Sequence, residues 1–103
     1  MIKVHINKNK IVIAGHANFN LYGKDIVCAA ASSIVTTSIN ACLKIEANSL
    51  KYKEVYEKKE LSKLTIEVTS DNKNVLLIIE NMIAMLEELA LTYKKNIKII
   101  KED

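Results

Sequence analysis

Residues 26–43, "IVCAAASSIVTTSINACL", carry no Asp, Glu, Lys or Arg. A stretch of this length without charge has two physical homes, the hydrocarbon of a bilayer or the inside of a folded domain. It is barely long enough for the first, and Ser32, Ser33, Thr36, Thr37, Ser38 and Asn40 interrupt it. It therefore reads as a buried helix of a soluble protein, with no membrane partner. Val35, Thr36 and Thr37 favour strands, so propensity alone leaves the segment ambiguous. Its length and the residue before it decide for helix. Asp25 is a short carboxylate able to accept bonds from the unpaired N–H groups of a first turn, the N-cap role.

What surrounds this helix changes period. In "MIKVHIN", Ile2, Val4 and Ile6 alternate with Lys3, His5 and Asn7, a period of two that predicts a strand. "KNK" follows as a turn and "IVIAG" as a second strand, so residues 2–15 form an antiparallel hairpin. Residues 16–24 lack periodicity and lie between the only two glycines, Gly15 and Gly23; they read as a loop. After the helix, "LKYKEVYEKK" and "LSKLTIEVTS" read as two strands, the second marked by Leu64, Ile66 and Val68. In the next segment Val75, Ile78, Ile79, Met82, Ile83, Leu86 and Leu89 recur at helical spacing, with Glu80, Glu87 and Glu88 outside. "NIKIIKE" has room for a last short strand. The expected fold is a small α+β (mixed α/β) sandwich in the order β-β-α-β-β-α, with the helices packed on a sheet. At 103 residues, with no proline and no low-complexity segment, it is one domain spanning residues 1–103.

Charge and sulfur narrow the chemistry. The formal charge is only +3, because glutamates are interleaved with the lysines. Lys51, Lys53, Lys58 and Lys59 stand among Glu54, Glu57 and Glu60, which reads as a mixed, solvated face, and no direct nucleic-acid binding is expected. On one helix, Cys28 and Cys42 would lie about 21 Å apart at 1.5 Å per residue, far beyond the roughly 7 Å that a disulfide spans. Two thiols, and no signal peptide at "MIKVHINKNK", lead to the expectation of a cytoplasmic protein. The same separation argues against a shared metal site, and no phosphate-binding loop or paired-carboxylate motif is present. No cofactor and no metal are expected.

With Asp25 as N-cap, Cys28 is the third helical residue. There the unpaired N–H groups and the helix dipole favour an anion and so the nucleophilic thiolate, although Asp25 opposes part of that effect. His16 opens the loop directly after the second strand, and a strand end and a helix start can be neighbours in space. An imidazole within reach of the thiol would act as its base, and the first-turn N–H groups would face a developing oxyanion. The plainer roles stand beside this one. A lone helical Cys is usually a small buried hydrophobe, and a His next to a Gly is usually a turn residue. Cys42, among apolar neighbours, reads as core, and His5 as a surface or sheet-face histidine and a remote second choice of base. Asn18 and Asn20 suit loop geometry. Phe19 and Tyr22 suit either closure over a peptide or anchoring of the loop.

Gly15-His16-Ala17, a short loop, and then "GKDIVCAAASS" resemble the signature of the ribosomal-processing cysteine proteases, the Prp family. The shared positions are Gly15, His16 and Ala17, then Asp25 to Ala30, and Ser32. The likeness extends over the whole chain in length and element order, but this stretch is the specific part. It implies an endopeptidase that removes the N-terminal extension of bacterial large-subunit ribosomal protein twenty-seven, a step in ribosome maturation. It further implies Cys28 as nucleophile, His16 as base, a ribosomal protein precursor as substrate, and a homodimer. The loop that moves to admit substrate would comprise Gly15, Ala17, Asn18, Phe19, Asn20, Leu21, Tyr22 and Gly23. Asp25 could orient His16 or only cap the helix; Ser32, one turn after Cys28, could bond thiol, imidazole or substrate, or only pack. Asn18 stands where some relatives have glycine. The alternative from a different class is a non-catalytic ribosome-associated binding module.

Overall fold

The computed structural model describes residues 1–15, 26–57 and 60–102. Its elements are β1 (Ile2–Asn7), β2 (Lys10–Ala14), α1 (Ile26–Ile45), β3 (Leu50–Glu57), β4 (Glu60–Val68), α2 (Lys73–Thr92) and β5 (Ile97–Glu102). The order is the expected one, and the last short strand is present. β1 and β2 form the expected hairpin, with Val4 opposite Ile13 and Ile6 opposite Ile11. Lys8 makes its turn with φ +54°.

The sheet order is β3-β4-β2-β1-β5. All neighbours are antiparallel except β1 and β5, which run parallel with Ile2 opposite Ile97. A parallel pair needs a crossover, and α2 supplies the last leg of it between β4 and β5. No pattern within "NIKIIKE" distinguishes that pairing from an antiparallel one.

Register sorts the strands into two faces. Ile2 and Val4 of β1, Ile11 of β2, Leu50 of β3, Leu64, Ile66 and Val68 of β4, and Ile97 of β5 are buried on one side. Both helices cover that side and share one core with it. α1 contributes Val27, Ala31, Val35, Ile39 and Cys42, spaced three and four apart. α2 contributes Val75, Ile79, Met82 and Leu86. The uncharged run is thus a core helix, as expected, although by length and composition alone it could cross a membrane. Its other side exposes Ser32, Ser33, Thr36, Thr37 and Asn40, so hydroxyl and amide groups meet water where charges usually would. Ser38 is buried, and its hydroxyl donates to the Ile34 carbonyl at 2.7 Å.

The joints are held by side chains bonded to backbone groups. Asn72 caps α2, its Oδ1 accepting from the N–H groups of Asn74 at 2.8 Å and Val75 at 3.4 Å. Ser49, fully buried, donates to the Cys42 carbonyl at 3.1 Å, which also accepts from the Glu46 N–H at 3.0 Å, and so ties the start of β3 to the end of α1. Replacing Ile66, which has no exposed surface, by Ala is expected to cost about 2–5 kcal/mol in urea unfolding. Asn72→Ala is expected to cost about 1 kcal/mol, because it removes a cap and leaves the core intact.

Candidate active site

β2 ends at Ala14, and Gly15 follows with φ +92°. Its N–H donates to the Ser62 carbonyl of β4 at 3.0 Å. A Cβ built at this position would overlap the Met1 carbonyl oxygen. Backbone on two sides and a conformation that L side chains resist therefore set the direction in which the chain leaves the sheet. His16 is the next residue. His16 itself, the rest of the proposed loop (Ala17, Asn18, Phe19, Asn20, Leu21, Tyr22 and Gly23) and Asp25 lie outside the described residues.

On the other side of that segment, α1 starts at Ile26, immediately after the expected cap position. Ile26 is half exposed, and Val27 is fully buried. Val27 ties the first turn to the core. That contact leaves Cys28, the third helical residue, half-buried at the edge of the core. An anion at the thiol or at a nearby oxygen would lie at the positive, N-terminal end of the helix dipole. Ser32, one turn later, is exposed and shares the Cys28 side of the helix.

Cys42 lies in a different environment on the same helix. It has no exposed surface, and its thiol points to the Val75 carbonyl, 3.9 Å from Sγ. Burial pushes its pKa up, which disfavours the reactive form. The core role expected for Cys42 is the one the structure shows. Both cysteines are thiols.

His5 is on the opposite side of the sheet. It alternates away from Val4 and Ile6, and its Nδ1 lies 3.1 Å from Glu102 Oε1. Cys28 packs against the core on the helix-covered side, so the sheet stands between the two, and His5 is not positioned as its base. Among the described residues, no cluster of three or more His, Cys, Asp and Glu side chains could hold a metal ion. Sequence reasoning missed the role of Met1 and Ser62, which hold Gly15 in place. Both act through backbone carbonyls, and a carbonyl leaves no mark in a side-chain pattern.

A two-layer α+β domain with one thiol in the first turn of a core helix, and the second sealed among apolar side chains, has the build of a thiol hydrolase. The comparisons place it more narrowly. The family described as Cysteine protease Prp matches residues 1–98. The ribosomal processing cysteine protease Prp of Mycoplasma genitalium is 31% identical over 99% of this chain and 97% of its own length. The protein of the same description from Staphylococcus aureus is 29% identical over 96% of this chain and 97% of its own. The crystal structure of the essential Staphylococcus aureus protease, in complex with a covalently linked product peptide, is similar with a TM-score of 0.84. It is 28% identical and covers 99% of this chain and 100% of its own. The same protease in complex with a substrate peptide matches with a TM-score of 0.78. The chain belongs to the Prp family of ribosomal processing cysteine proteases. It is an enzyme, which sets aside the non-catalytic binding module.

Two outcomes are expected. Gly15→Ala destabilises the fold by about 1–3 kcal/mol in urea unfolding, since both its dihedral and its neighbours refuse a side chain. Under native conditions an alkylating reagent labels Cys28 well before Cys42, as read by peptide mass spectrometry, and Cys42 is modified only after unfolding. Equal labelling rates in the native protein would contradict the difference in environment.

Proposed function

We propose that this chain is an endopeptidase that removes the N-terminal extension from the precursor of large-subunit ribosomal protein twenty-seven, using Cys28 as nucleophile and His16 as base. The observation that carries the reading is the position of Cys28, half-buried in the first turn of α1, in a chain matched by the family over residues 1–98. The covalently linked product peptide in the Staphylococcus aureus relative supports a covalent route here.

In this mechanism His16 takes the Cys28 proton, and the thiolate attacks the scissile carbonyl carbon. First-turn N–H groups of α1 stabilise the resulting oxyanion. The C–N bond breaks as His16 returns the proton to the leaving amine, and the acyl group remains on sulfur as a thioester. Water, deprotonated by His16, attacks the thioester carbonyl, and the thiol is released as the leaving group. The role proposed for Asp25 is that of helix cap, and Ser32, one turn after Cys28, is proposed to support substrate or thiol. The segment from Gly15 to Gly23 is proposed to gate access of the substrate peptide.

The protein is further proposed to act in the cytoplasm and as a homodimer. The exposed hydroxyl- and alanine-bearing side of α1, free of charge from Ile26 to Leu43, suits a helix-mediated contact, and light scattering after size exclusion measures it directly. For the chemistry, the substrate is a peptide spanning the extension junction. Cys28→Ala and His16→Ala are each expected to lower kcat/KM by at least about a thousandfold, with unfolding midpoints within experimental error of the parent. Substantial turnover by folded Cys28→Ala protein would remove Cys28 from the mechanism.

A further inference from the structure

The face of the sheet turned away from the helices is where the charges collect. Residues directly opposite one another across strands share a face. One cross-strand row places Val55, Lys63, Ala14, Lys3 and Lys98 side by side, and the next places Lys53, Thr65, Val12, His5 and Ile100. The third holds Lys51, Glu67, Lys10, Asn7 and Glu102. Lys3, Lys10, Lys51, Lys53, Lys63 and Lys98 are all exposed there. Among the described residues the acids on this face are Glu57, Glu67 and Glu102, so six lysines meet three glutamates for a net +3, with His5 taken as neutral. The whole chain carries +3, so the rest of the molecule has no net charge.

The interleaving of Lys and Glu along β3 conceals this. Lys51 and Lys53 point to the open face, whereas Glu54 lies opposite Leu64 on the helix side. The exposed acids Glu80 and Glu88 are on α2, behind the sheet. A surface that serves solubility alone needs no sorting by sign.

We propose that this open sheet face is a docking surface for RNA, holding the phosphate backbone by its lysines while a peptide is processed elsewhere on the molecule. Strands about 4.8 Å apart, with alternate residues about 6.8 Å apart along each strand, put the ammonium groups on a grid from which several phosphates are reached at once. Phosphate contacts position a protein without reading sequence, and no sequence preference is expected. A second copy of the chain is a poor occupant, since it would set six lysines against six lysines. The choice of RNA over other polyanions rests on the ribosomal reading above; the segregation of charge does not.

Binding of a short fluorescent RNA hairpin, followed by anisotropy, tests this on the full-length protein. The parent is expected to bind at 50 mM salt and to weaken steeply by 200 mM, as release of counterions from several phosphates requires. Combining Lys3→Glu, Lys63→Glu and Lys98→Glu, which share one row, is expected to weaken binding about tenfold or more. Cleavage of the isolated junction peptide should be unchanged, which separates this inference from the catalytic one. Reversing Lys44 and Lys73, exposed on the helix side, is expected to change affinity by less than about twofold. If the triple Glu variant does not fold, Gln at the same three positions decides, with an expected loss of smaller size in the same direction. The inference is overturned by absence of binding at low salt, or by equal losses in the control variant. Tighter binding to phosphatidylserine vesicles or to polyglutamate than to RNA overturns it as well.

Discussion

One-sided burial of the five-stranded sheet is the constraint from which the other features follow. Both helices cover the same face, and Val4, Ile11, Ile66 and Ile97 meet Val27, Cys42, Val75, Met82 and Leu86 in a single core. In a sheet with a period of two, a slip of one residue would send every one of these side chains to water. The core therefore determines the register, and the register in turn determines the contents of the open face. It also locates the start of α1, because Val27 has to reach the same core.

That anchoring leaves one thiol of the helix at the margin of the core. Val27 and Ala31 bury the inner side of the first turns, and Cys28 falls beside them, at the margin of the core. Cys42 shows the alternative fate of the same side chain: on the same helix and fully enclosed, it has a raised pKa and acts as packing. The two thiols differ in position along one helix: Cys28 is half-buried in the first turn, and Cys42 is enclosed by the core. His5 is held on the open face with Glu102, while His16 follows a glycine that backbone contacts on two sides hold in place.

Much of the candidate site was legible in the linear pattern, because its parts are local. A glycine before a histidine, and an aspartate three residues before a cysteine, are read directly, and the helix start at Ile26 came from capping chemistry alone. Alternation marked the strands, and three-four spacing marked α2, for the same reason: each is decided within a few residues. The contacts that hold Gly15 were not legible, since Met1 and Ser62 act through their carbonyls. The parallel placement of β5 on β1 was not legible either, because a short alternating run pairs equally well in both directions until a crossover is imposed.

The charge pattern divides what the two levels decide. By itself the sequence determined the elements, their order, the apolar stripes that make one core, and the family signature around His16 and Cys28. These depend on near neighbours and on hydrophobic period. Tertiary structure alone decided that β5 closes the sheet beside β1, that His5 is cut off from Cys28, and that six lysines from five strands come together on the open face of the sheet. The reason is geometric: strand pairing sends alternate residues to opposite faces, and only the helices, by covering one face, determine which of the two remains open to water.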